Sequence, residues 1–418
     1  MADENEALTM EEGKLFHDGF VKGIAEYVKK CPTPQTIAIK GDWGTGKTSL
    51  INLVEEQLRA ETEPAEGDNP DAKKYCDDII TVAIVDVWQQ SVANPNANPY
   101  QHLVAELAEK LQGSKMDMME KVSEFTSIAS KIVGAALANA AEESKDSDSV
   151  LNWFAAEDDS GSDETFSRAK YKEEFQSKFS DALGEIAQEF GKPEDSRIVV
   201  FVDGLDHISP EAAVDLMEHI KVYLECPRCV FVLAADEKVV FDGVRKKFGD
   251  KVGGRRMKML FDKLVQVPLS IPESAYNMDA LIKKLLKDKQ GLSGEFADVV
   301  STLVKEPVPR NIARYISATD LYRSIFGGTQ GVEDSSLAML FAAVILKTES
   351  AQGFNAIAEC ARGEDAQFVE NLKTALGSLS LDSGVDWAMI PALWRGGEGV
   401  DGDAAKRSTF LFWVQKLK

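Results

Sequence analysis

Two regimes of hydrophobic patterning divide this chain near residue 275. Before it, short and nearly continuous apolar runs alternate with stretches of helical spacing. The runs are Thr36–Lys40, Ile79–Trp88, Arg197–Asp203, 230–235 and 264–269. Such runs suit strands buried on both faces of a sheet. Between them, residues 14–30, 50–58, 100–112, 169–190, 210–225 and 237–248 carry apolar side chains at helical intervals. Alternation of this kind predicts an α/β fold, a parallel sheet flanked by helices. From about 276 to the end the spacing is helical, including Phe341–Leu346 and Thr409–Val414. The expected division is therefore an α/β domain over 1–275 and a helical C-terminal domain over 276–418.

The pattern breaks in three places. Residues 1–10 read as a loose acidic start and 61–74 as a solvated loop rich in Glu, Pro, Asp and Gly. Residues 113–168 read as an insertion into the α/β domain. Its first part is rich in Met and Ala. In its second part, Glu142–Phe166, nine acidic residues stand against one lysine, so this part is expected to be partly mobile.

The turn between the first run and its following helix carries the chemistry. Gly41-Asp-Trp-Gly-Thr-Gly-Lys47-Thr48-Ser49 matches the phosphate-binding pattern G-x-x-x-x-G-K followed by Ser or Thr. Glycines let backbone N–H groups curl round a phosphate without Cβ clashes. The helix N-terminus adds partial positive charge. Lys47 is placed to reach the outer phosphates, and the Thr48 hydroxyl to ligate Mg²⁺. Gly41, Asp42, Trp43, Gly44, Thr45, Gly46, Lys47, Thr48 and Ser49 are thus the expected nucleotide-binding residues.

A phosphate loop needs a carboxylate at the tip of a neighbouring strand for Mg²⁺. Val199-Val-Phe-Val-Asp203 ends in one, which makes Asp203 the expected metal residue with Thr48. Asp206 has two readings. It orients the attacking water through the gap left by Gly204, or it caps the helix after Pro210 or pairs with a local cation. Asp236, ending Ala234-Ala235-Asp236, either senses the γ-phosphate or is a loop acid. Arg255, Arg256 and Arg310 are candidate cations for phosphate charge, with Arg310 in the best context.

Composition narrows the partners. Hydrophobic residues make up 44% and charged residues 28%, as in ordinary globular proteins, and the net charge is −22. Such an acidic surface repels phosphate backbones, so broad nucleic-acid binding is not expected. Five scattered cysteines and no signal peptide argue for a reducing cytoplasm. Cys226-Pro-Arg-Cys229 is a lone C-x-x-C, with Cys229 expected at a buried strand entry. The four histidines form no metal-ligand cluster. No apolar stretch is long enough for a transmembrane helix.

These residues resemble the KAP family of P-loop NTPases. The carriers of the resemblance are Trp43 inside the phosphate loop, Val87-Trp88 at the end of the second strand, and Phe201-Val-Asp-Gly-Leu-Asp206. Three more fit in order: Cys229–Asp236, Lys263–Pro268 and Pro309-Arg310-Asn-Ile-Ala-Arg314. The family's Asp-Asp-Leu-Asp-Arg element departs here at Gly204 and His207. Asp-Gly-Leu-Asp instead resembles the NACHT branch of signalling ATPases, where a later acid serves hydrolysis. The resemblance implies ATP with Mg²⁺, hydrolysis with Lys47, Asp206, Asp236 and Arg310 as catalytic residues, and a homo-oligomer or protein effector partner. It also implies a regulatory switch in bacterial defence against phage or mobile DNA. A nucleotide-stabilised scaffold with little turnover is the alternative.

Overall fold

The computed structural model describes residues 15–60, 78–93, parts of 99–107 and 176–196, 197–221, 226–249, 254–286, 292–326, 334–360, 368–377, 384–394 and 399–418. The acidic start, the loop at 61–74 and the insertion at 113–168 lie outside the described residues. The chain separates into two bodies. Of the described residues, one body holds those within Asp18–Trp43 and Lys47–Ile271, and the other those within Met1–His17, Gly44–Gly46 and Pro272–Lys418.

The first body is a five-stranded, wholly parallel sheet. Its strands are β1 (Gln35–Lys40), β2 (Ile79–Asp86), β3 (Arg197–Asp203), β4 (Cys229–Ala235) and β5 (Val267–Ser270), in the spatial order β2-β3-β4-β1-β5. Its helices are α1 (Asp18–Lys30), α2 (Lys47–Ala60), α3 (Val87–Ala93), α4 (Pro210–His219), α5 (Glu237–Phe248) and α6 (Gly254–Leu264). All seven residues of β4 are buried, as are the five from Ile198 to Val202 of β3. The side chains of β3 and β4 are buried on both faces of the sheet, which is why these runs show no polar alternation. Helical residues Leu103, Leu107, Leu183 and Ala187 join this core. Cys229 opens β4 and is buried beside Cys226, with the two sulfurs 3.3 Å apart as free thiols.

Three of the boundaries that differ from the sequence expectation have a visible cause. The second strand stops at Asp86, not Trp88, because the Asp86 carboxylate accepts from the N–H groups of Trp88 and Gln89 and starts α3. The first helix begins at Asp18 rather than 14, since Phe16 instead forms an antiparallel bridge with Tyr276. The last strand begins at Val267, because α6 continues through Leu264.

The second body is helical: α7 (Met278–Leu285), α8 (Leu292–Leu303), α9 (Pro309–Phe326), α10 (Asp334–Glu349), α11 (Ala351–Cys360), α12 (Phe368–Gly377) and α13 (Gly399–Leu417). Short 3₁₀ turns run over Glu273–Ala275 and Trp387–Trp394. Residues Leu337–Leu346 of α10 are all buried, so this helix is apolar all round and forms the centre of the body. Phe296 stacks on Phe341 with ring centroids 4.2 Å apart. Trp394 packs against Phe368 and Phe410. Tyr315 donates its hydroxyl to Glu349 at 2.5 Å, which satisfies a polar group inside this core. Among the described residues, no helix is long and apolar enough to cross a membrane.

Candidate functional site

The chemistry gathers at the C-terminal ends of β1 and β3. After β1 the loop Gly41–Gly46 leads straight into α2 at Lys47. Gly44 and Gly46 sit at φ of 89° and 85°, a left-handed conformation that favours glycine. This is the turn that points successive N–H groups toward one anion.

Lys47 is nearly buried. Its ammonium donates to the carbonyl oxygens of Gly41 at 2.9 Å and Asp42 at 3.2 Å, and it pairs with the Asp206 carboxylate at 3.2 Å. Asp206 is therefore not a helix cap. Ser209 takes that role for α4, accepting from the Ala212 N–H with Pro210 in the first turn. The cation that Asp206 pairs with is the loop lysine, distant in the chain. The Asp206 carboxylate also lies 3.7 Å from His207 Nε2.

Thr48 donates its hydroxyl to Asp203 Oδ2 at 2.5 Å, while Asp203 Oδ1 accepts from the Gly204 N–H at 2.8 Å. Strand β4 lies between β1 and β3 in the sheet, so helix α2 brings Thr48 to a strand tip two places away. Burial pushes the Asp203 carboxyl above its ordinary pKa. The bonds from Thr48 and Gly204 oppose that rise, and the charges of Asp86 and Asp206 add to it.

Gly204 leaves no gap, contrary to the sequence expectation. Its φ is 77°, and a Cβ built on it would stand 2.7 Å from Asp86 Oδ1 and 3.0 Å from the Trp88 nitrogen. The space beside Asp203 is filled by Asp86 at the end of the neighbouring strand and by Trp88 at the start of α3. No side chain fits at position 204 without displacing them.

The remaining expected residues have the following surroundings. Asp236 caps α5, its Oδ1 accepting from the Lys238 N–H at 2.8 Å. Arg310, on α9, donates its backbone N–H to the Gly44 carbonyl at 3.4 Å, and its stem lies where a Gly44 side chain would go. Tyr276 donates to the Thr45 carbonyl at 2.9 Å, and Leu15 lies where a Gly46 side chain would go. Arg255 is exposed. Trp43 is 64% exposed and meets the His207 ring edge-on, while Trp88 tilts against the same His207 ring with centroids 5.0 Å apart.

Two residues of this neighbourhood escaped the sequence reading. Lys238 grips both oxygens of Asp42 at 3.1 and 2.9 Å, and no local pattern announces that pairing. Asp86 did have a signal, since Ile84-Val85-Asp86 repeats the form of Phe201-Val202-Asp203, an apolar strand ending in an acid.

The donor set suits a nucleotide with Mg²⁺. A hydroxyl and a half-buried carboxylate already meet at the head of a helix, beside a lysine fixed by loop carbonyls. Among the described residues no group of three or more His, Cys, Asp or Glu is arranged to hold a metal alone. Mg²⁺ is ordinarily held by one or two protein ligands together with phosphate oxygens and water, so this sparse set fits it.

Comparison with known proteins agrees. The KAP family P-loop domain matches residues 17–318. The chain belongs to the KAP family of P-loop NTPases. Among curated proteins, the phage T7 exclusion protein of Escherichia coli K12 is 20% identical over 258 residues, 56% of this chain and 30% of that protein. The chain thus spans about a third of the length of that relative. Among solved structures, the Aeropyrum pernix ORC1 protein in complex with DNA aligns over 91% of this chain and 82% of its own. Its identity is 12% and its TM-score 0.36, a likeness that carries no argument about function.

Proposed function

We propose that this KAP chain is a switch that binds and hydrolyses Mg²⁺·ATP. The observation that carries the proposal is the pairing of Lys47 with Asp206 beside the pairing of Thr48 with Asp203. Gly41–Ser49 cradle the phosphates, and Lys47 neutralises the outer ones. Thr48 and Asp203 would hold Mg²⁺, which when bound neutralises charge on the phosphate oxygens. Asp206 orients the attacking water. Triphosphate competes with Asp206 for the Lys47 ammonium, and that competition releases the carboxylate for its work. Asp236 is the proposed reader of the γ-phosphate through the oxygen that does not cap α5. Arg310, held against Gly44, is the proposed cation for phosphate charge. ATP is preferred over GTP because the chain has no Asn/Thr-Lys-x-Asp guanine-reading element.

The output is assembly or the engagement of a protein partner in the cytoplasm, consistent with the free thiols of the described cysteines. The name of the phage exclusion protein supports a role in defence against phage. A scaffold that holds ATP with little turnover is the second reading, favoured by the grip of Lys47 on Asp206.

The test is ATP turnover measured with bound nucleotide for wild type, Lys47→Ala and Asp206→Ala. Loss of turnover in both, with nucleotide retained in Asp206→Ala, supports the switch. Tight nucleotide without wild-type turnover supports the scaffold. Phage plating on cells expressing wild type or Lys47→Ala tests the defensive role, and native mass measurement with ATP and ADP tests assembly.

A further inference from the structure

We propose that Asp86 is a positioning residue of the nucleotide site, supplying from β2 the second carboxylate that steers Mg²⁺ onto Thr48 and Asp203. The inference rests on the nucleotide-binding reading above and adds a residue to it.

Three observations lead there. First, parallel pairing places Asp86 directly beside Asp203 at the ends of adjacent strands. Second, the polypeptide at 204 is shaped around Asp86. Gly204 adopts a left-handed backbone, and the position its Cβ would take is 2.7 Å from Asp86 Oδ1. Third, the charges are not balanced. Asp86 Oδ1 is held by two N–H groups of α3, and Asp203 by a hydroxyl and one N–H. Among the described residues no cationic side chain pairs with either, since Lys47 is paired with Asp206. Two like charges side by side in a partly buried place are costly until a cation joins them.

The competing explanation is that Asp86 serves α3 as a cap and nothing more. Asp86→Asn separates the two, because asparagine keeps the capping oxygen and the shape but removes the charge. The probe is Mn²⁺ in the presence of ADP, followed by electron paramagnetic resonance, with ADP binding in chelator measured in parallel. The expected result for Asp86→Asn is Mn²⁺ binding weaker by about 10-fold or more, as for residues that orient metal ligands. ADP binding without metal should stay at the wild-type level. Asp86→Ser, which also retains a capping oxygen, should behave likewise and covers the case in which the asparagine variant does not fold. Mn²⁺ binding unchanged in a folded Asp86→Asn or Asp86→Ser, while Asp203→Asn loses it, overturns the proposal and leaves the nucleotide site standing. Wild type that binds no ADP, or gains no Mn²⁺ with it, overturns both.

Discussion

The tips of β3 and β4 look alike in sequence and are used differently. Each strand is an apolar run with an aspartate at its tip, the last residue of β3 and the first after β4, and each is followed by a helix. After β4 the helix starts at once: Asp236 is the residue before Glu237, and its carboxylate is drawn into capping α5. After β3 the chain makes a left-handed step at Gly204 and delays α4 until Pro210, where Ser209 does the capping. That delay leaves Asp203 to meet Thr48, and Asp206 to meet Lys47. The distance between strand end and helix start therefore decides whether an acid at a strand tip serves the fold or faces a ligand. Asp86 stands between the two cases. It caps α3, yet leans over Gly204 toward Asp203.

The largest effect that would sharpen this comparison is on turnover. Asp203→Asn should lower ATP hydrolysis by about 100-fold or more, because it weakens the metal carboxylate without changing its shape. Steady-state turnover across a Mg²⁺ titration checks it. A variant with near wild-type turnover would mean that the β3 tip is no more chemical than the β4 tip.

Next in size is the left-handed step itself. Gly204→Ala places a methyl group against Asp86 Oδ1 and forces an L-residue into positive φ. The left-handed backbone alone should cost about 1–2 kcal/mol of stability. Crowding adds to that as far as the Asp86 side chain resists moving. Urea unfolding measures the total. An unchanged midpoint would show that the step after β3 is not constrained.

The sheet was legible because its strands are buried on both faces, so Ile198–Val202 and Cys229–Ala235 read as unbroken apolar runs. Lys47, Thr48 and Asp203 were readable from a local motif and a strand ending. Other features depend on groups far apart in the chain and leave no local trace. Asp206 lies close to two plausible caps in sequence, and its lysine partner is visible only once β1 and β3 are in place. Val87 and Trp88 continue the apolar run of β2, but the Asp86 carboxylate turns them into the first residues of α3. Gly204 suggested empty space, since the sequence does not show that the adjacent strand fills it. Phe16 read as part of α1 because its bridge partner, Tyr276, lies at the far end of the α/β segment.

The smallest predicted effects concern the caps. Ser209→Ala and Asp236→Ala should each cost about 1 kcal/mol, the usual loss when a capping oxygen is removed. Asp236→Asn keeps that oxygen, so it should cost no more than a few tenths of a kcal/mol. Stability therefore isolates the cap, and turnover isolates any further role. If Asp236 serves α5 alone, Asp236→Asn keeps wild-type turnover, and the two strand tips divide cleanly into structure and chemistry. If its second oxygen reads the γ-phosphate, the same variant is as stable as wild type yet slower. Denaturant midpoints and turnover measured on one preparation of Asp236→Asn therefore decide whether the early start of α5 removes this acid from the site or only fixes its direction.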